Sequence, residues 1–188
     1  PNWATIPVLT MTQTKNLQAQ MAYDLSGWNY AKIGDQNQLG RYQFTTDTLE
    51  KYGLLVSGSN QAYGTDCVNY KTCWQQNAVR RNNSYGNYLY NITSLSAFLN
   101  STAAQDHLNY QIIYDTYNEL SVNNGILPTD SADVAAGMIY VGVTLGAGQT
   151  GDSANPSGSG AWAWRYWNLG QGTPSYNAGR YAAVVLSQ

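Results

Sequence analysis

The chain has 188 residues, with 9 Lys and Arg against 11 Asp and Glu and a net charge of −2. That balance gives no long-range attraction to nucleic acid or to an anionic membrane surface. The sequence holds no run of about 18 apolar residues, so no segment is expected to span a bilayer.

The length suits one domain with a core that supports itself. The apolar fraction, 43%, is ordinary, but the charged fraction, 11%, is less than half the usual value. Gln, Asn, Ser, Thr and Tyr take up the difference, which fits a surface covered in an assembly. The start at Pro1 instead of Met leads to the expectation of a segment processed from something longer.

The first predicted helix runs from Thr12 to Asp24, with Leu17 and Met21 at helical spacing behind a threonine start. Ser26 to Leu39 is rich in Gly, Asn and Asp and is expected to be loop or hairpin. Thr45 or Thr46 is expected to cap a short helix through Lys51, ended by Gly53. Ser57 to Thr93 reads as one long irregular stretch. Ser94 to Asn100 is expected to form a helical turn, and Ser101 to cap a long helix to about Val122. Ala104, Leu108, Ile112 and Leu120 fall along one side of it, with His107 near the core and Glu119 in solvent. Asp130 or Ser131 is expected to cap an apolar, buried helix from Ala132 to about Leu145. A glycine-rich loop, Gly146 to Gly160, and a last helix, Ala178 to Leu186, complete the pattern.

Cys67 and Cys73 lie close enough in sequence for a short-loop disulfide, provided the protein works outside a reducing cytosol. The lone His107 is far from them, so a zinc site lacks ligands, and neither a metal nor a cofactor is expected.

Three ordered blocks carry the strongest pattern. The first runs from Asp24-Leu25-Ser26-Gly27-Trp28-Asn29-Tyr30 to Gly40-Arg41-Tyr42-Gln43-Phe44 and Leu49-Glu50. The second is Phe98-Leu99-Asn100, leading into the long helix at Gln105. The third is Val134-Ala135-Ala136-Gly137-Met138 to Leu145-Gly146-Ala147-Gly148, followed by Tyr176-Asn177-Ala178-Gly179-Arg180-Tyr181-Ala182. Together they resemble the lysozyme-like or transglycosylase-like domains of phage tails, as found in baseplate hub proteins.

The resemblance implies an α+β but mainly α, lysozyme-like fold, with long irregular loops and at most a small β-hairpin. It implies a single domain over 1–188, set in the virion tail or baseplate and therefore extracellular. Its partners are then other tail proteins in an oligomeric assembly, and peptidoglycan glycan strands are the family's substrate. Tyr30, Tyr42 and Gln43 fall in the family's substrate cleft.

Glycoside cleavage needs a carboxylic acid whose proton is retained near neutral pH by an apolar pocket. The family supplies it from a glutamate in a Glu-Ser-Gly-Gly-x-Tyr run. Aligned on Gln43, that position is Leu25, and with a one-residue shift it is Asp24. Aspartate is one methylene shorter, and a displacement of about 1 Å can cost about 100-fold in rate. Asp24 is thus the remaining candidate for the acid. Asp35 and Asp47 read as turn and helix-start residues, and Glu50 as structural. A separate cluster, Trp162, Trp164, Tyr166 and Trp167 around Arg165, fits either sugar stacking or an interface. The expected function is a virion structural protein on a catalytically impaired scaffold. The alternative is an active glycosidase or lytic transglycosylase that uses Asp24.

Overall fold

The computed structural model describes residues 3–82, 90–122 and 125–145. The described chain is mainly helical. Its α-helices are α1 (Met11–Ser26), α2 (Thr46–Lys51), α3 (Ser59–Tyr63), α4 (Ala78–Asn82), α5 (Leu95–Asn100), α6 (Thr102–Val122) and α7 (Ala132–Leu145). The expected last helix at Ala178, and the glycine-rich stretch before it, lie outside the described residues.

Caps explain most of the helix boundaries. The Thr10 hydroxyl accepts from Gln13 N–H at 3.1 Å while the Gln13 side chain accepts from Thr10 N–H at 2.9 Å, a reciprocal capping box at the start of α1. Thr45 accepts from Thr48 N–H, Ser94 from Ala97 N–H and Ser101 from Ala104 N–H. Each satisfies a backbone donor that the first turn leaves without a helical partner. At the far end of α1, Gly27 adopts φ +63° and its N–H bonds the Tyr23 carbonyl at 3.0 Å, a left-handed C-cap.

The chain divides into two compact units, residues 1–21 with 110–188, and residues 22–109. In the first unit the buried side chains include Leu17 and Met21, Ile113, Tyr117 and Leu120, and Ala135, Met138, Ile139 and Val141. The last set covers much of the circumference of α7, as its nearly continuous apolar sequence requires.

The second unit is organised around a chain of aromatic rings. Tyr42 lies 5.7 Å from Phe44, Phe44 lies 5.8 Å edge-on to Phe98, and Phe98 lies 5.9 Å from Trp74. Trp74 is fully buried, and its indole N–H is satisfied by the Val68 carbonyl at 2.8 Å.

One expectation needs revision. The stretch from Ser57 to Thr93 is not one irregular loop where it is described. It is broken into α3, 3₁₀ turns at Gly64–Asn69 and Lys71–Cys73, and α4. Buried Cys67, Val68, Cys73 and Trp74 are among those that anchor it, so its polar composition concealed a set of inward-facing residues. Of the small β-hairpin set as the upper limit, none is shown. Among the described residues there is no strand, only isolated antiparallel bridges Ile33 to Leu39, Leu39 to Phe44 and Leu55 to Trp74. Left-handed backbone at Asn37, Gly40 and Gln43 turns the chain before a ladder can extend.

Candidate functional site

The Gly40–Phe44 segment is a tight loop closed at its base. Leu39 N–H bonds the Phe44 carbonyl at 2.9 Å and Phe44 N–H returns to Leu39 at 3.0 Å. Gly40 sits at φ +76°, and a Cβ placed on it would lie 2.0 Å from Oε1 of Gln105. Glycine is therefore required twice, by conformation and by space.

Gln105 makes use of that close approach. It is fully buried on α6. Its Oε1 accepts from Arg41 N–H at 2.8 Å, and its Nε2 donates to the carbonyls of Tyr30 (3.1 Å) and Phe98 (3.0 Å). One amide thus ties the loop, the preceding segment and α5 to α6.

The next residue on α6, Asp106, gathers the phenols. Tyr30 Oη lies 2.9 and 2.8 Å from its two carboxyl oxygens, and Tyr42 Oη donates to Oδ1 at 2.7 Å. Arg41 donates from Nη1 to Tyr30 Oη at 2.5 Å, and its guanidinium lies over the rings of Tyr30 (4.8 Å) and Tyr42 (5.7 Å). Its Nε is buried with no hydrogen-bond partner. Burial, with the Asp106 carboxyl second, drives both phenols above the ordinary tyrosine range. They stay neutral donors throughout physiological pH.

The run preceding the loop is held just as firmly. Ser26 Oγ donates to the Arg41 carbonyl at 2.6 Å, and Lys32 Nζ donates to the Leu25 carbonyl at 2.7 Å. Leu25 is half-buried, whereas Asp24 is exposed. The apolar enclosure that a general acid needs is therefore not built around Asp24.

The sequence candidates now separate. Tyr30, Tyr42 and Gln43 are brought together, but as internal fasteners. Tyr42 is only 6% exposed, and Gln43 donates to the Gly40 carbonyl at 2.9 Å. Trp162 and Trp164 lie outside the described residues. Glu50 accepts the backbone N–H groups of Gly58 (2.5 Å) and Asn60 (2.9 Å), which makes it an anchor for the start of α3. Asp47 bonds the Asn60 amide, which also accepts from Thr46 Oγ1 at 2.8 Å. These groups edge an open cleft of about 550 Å³. The pair expected as a disulfide is present in this structure as two buried free thiols, Cys67 and Cys73.

The residues that sequence reasoning missed are Gln105 and Asp106. They lie in the first turns of α6, where His107 and Asn109 are polar as well, so no local pattern singled them out. Among the described residues no helix is long and apolar enough to cross a membrane. Comparisons with family models, with curated proteins and with solved structures return no match.

Proposed function

We propose that this chain is a structural domain of a phage tail or baseplate, built on a lysozyme-like scaffold that no longer cleaves glycan. One observation carries the reading. The family's acid position falls on Leu25, the neighbouring Asp24 is exposed, and the polar side chains of the Gly40–Phe44 block are engaged inside the protein. A glycosidase needs an enclosed carboxylic acid and a cleft whose donors are free for sugar. Here Asp106, the carboxyl group bonded to Tyr42 of the block, serves as acceptor for two phenols.

The low charge of the surface supports a place in an assembly, where neighbouring subunits cover neutral polar groups. A cell-wall clearing assay tests the proposal. Wild type and Asp24→Asn are both expected to leave peptidoglycan intact. Clearing by wild type that Asp24→Asn abolishes refutes the structural reading and restores Asp24 as the acid.

A further inference from the structure

The sequence contains two cysteines, Cys67 and Cys73, and the fold buries both within one short segment. Cys67 lies in the 3₁₀ turn Gly64–Asn69, and Cys73 ends the turn Lys71–Cys73. Tyr70 joins the two turns. Its N–H bonds the Cys67 carbonyl at 3.1 Å, and its carbonyl accepts from Cys73 N–H at 3.0 Å. The indole of Trp74, next to Cys73, reaches back to the carbonyl of Val68, next to Cys67, at 2.8 Å. The second turn is thereby folded onto the first. The Cys73 carbonyl also accepts from Val56 N–H at 2.8 Å, which ties the same turn to the chain before α3.

A single buried cysteine acts as a small apolar residue and asks for no further account. Two observations set this pair apart. The residues around it are polar and exposed, Asp66, Asn69, Tyr70, Lys71 and Thr72 among them, yet both cysteines point inward from the same seven positions. The two groups also sense each other. Burial first, and then the charge of Cys73, push the Cys67 thiol up to about 11.

We propose that Cys67 and Cys73 are a redox clasp, two thiols in a reducing compartment and one disulfide, pinning the paired 3₁₀ turns, in an oxidising one. The oxidant is a low-molecular-weight disulfide. One protein thiolate attacks it, forms a mixed disulfide and releases one small thiol. The second protein thiolate then attacks the sulfur held on the first and releases the other small thiol. Two protein thiols are oxidised, one small disulfide is reduced, and the two protons leave with its thiols. Burial makes the exchange slow, because a thiolate must first be exposed. The segment suits that step, since 3₁₀ turns have poorer hydrogen-bond geometry than α-helix and such elements open ahead of the core. Once closed, the disulfide is shielded by the same burial. The clasp does not depend on the phage reading, because it concerns only the redox state of the surroundings.

The test starts from the full chain, fully reduced with a dithiol and freed of it, then incubated with oxidised glutathione. Intact-mass spectrometry is expected to show a loss of about 2 Da in the monomer, with no thiol left to titrate in denaturant. Dilute urea, below the unfolding transition, is expected to speed the closure, as an opening step requires. Closing a loop of about seven residues is expected to lower the unfolding equilibrium constant on the order of 50-fold, and a dithiol is expected to reverse the gain. The reference is the reduced wild type, so no variant has to fold for the comparison to hold. Cys73→Ser is expected to stop at the mixed disulfide. The proposal is overturned if both thiols persist after oxidation. It is equally overturned if glutathione stays on one cysteine of the wild type, or if the cross-link forms between chains. A disulfide that forms within the chain and leaves the unfolding equilibrium unchanged or worse overturns the clasp as well.

Discussion

Replacing Gly40 by alanine tests the central packing argument most directly. Two costs add. Alanine at φ +76° costs about 1 kcal/mol in backbone strain. The new Cβ would also lie 2.0 Å from Gln105 Oε1 and 2.6 Å from its Cδ. Gln105 is fully buried and must move, which disrupts its bonds to Arg41 N–H and to the carbonyls of Tyr30 and Phe98. Each buried polar group left without a partner costs about 1–3 kcal/mol. Two such losses bring the total to about 3–7 kcal/mol, a large share of a typical domain's stability.

Gly58→Ala is the matched control. Gly58 has φ +87° but nothing within 4 Å of the added Cβ, so it is expected to lose only about 1 kcal/mol. Urea unfolding followed by circular dichroism measures both. In a Gln105→Ala background the clash is gone, and Gly40→Ala is expected to fall to the level of the control. If Gly40→Ala and Gly58→Ala destabilise equally in the wild-type background, Gln105 is not the clamp described above.

Other expectations follow from the same network. Asp106→Ala strands the Tyr42 hydroxyl in a buried setting and is expected to cost about 2 kcal/mol, with Tyr42→Phe/Asp106→Ala recovering part of it in a double-mutant cycle. Tyr42's titration is pushed above its ordinary 10.0, chiefly by burial. In the unfolded chain the phenol loses its proton first, so stability is full below pH 10 and falls as pH rises above it, with a shallower fall in Tyr42→Phe. Burial lowers His107 from 6.5 to about 4. Between those values the unfolded chain binds a proton that the folded one does not, so stability is full above pH 6.5 and declines as pH drops toward 4. His107→Gln is expected to lessen that decline in thermal scans. Cys67 is buried and its thiol is raised to about 11, so a thiol reagent is expected to find no reactive cysteine in the native protein and two in denaturant without reductant. Zero in denaturant points instead to a disulfide.

The contrast between helix ends and helix faces shows how far the sequence could be read. Thr45, one of the two caps expected for α2, and Ser101 cap their helices at the expected places, and Ser94 caps the turn expected from Ser94 to Asn100, because a cap is a local bond between neighbours. The sequence of α6 was harder. Gln105, His107 and Asn109 are polar, yet all are buried beside Ala104 and Leu108, so the apolar stripe underestimates the covered face. What buries a glutamine is a set of carbonyls and an amide up to 75 positions away in sequence, and no local pattern announces them. Trp74 is buried in a stretch that composition marks as loop, against the ring of Phe98, 24 positions on.

The sequence by itself determined α1, α2, α5, α6 and α7 and the caps at the starts of α2 and α6, because these depend on propensity and on bonds within a few residues. Tertiary structure alone decided that Tyr30, Arg41 and Tyr42 converge on Asp106, that Asp24 faces solvent, and that Trp28 is presented outward. Those outcomes depend on which distant groups meet, and on whether each polar atom finds its partner in the protein or in water.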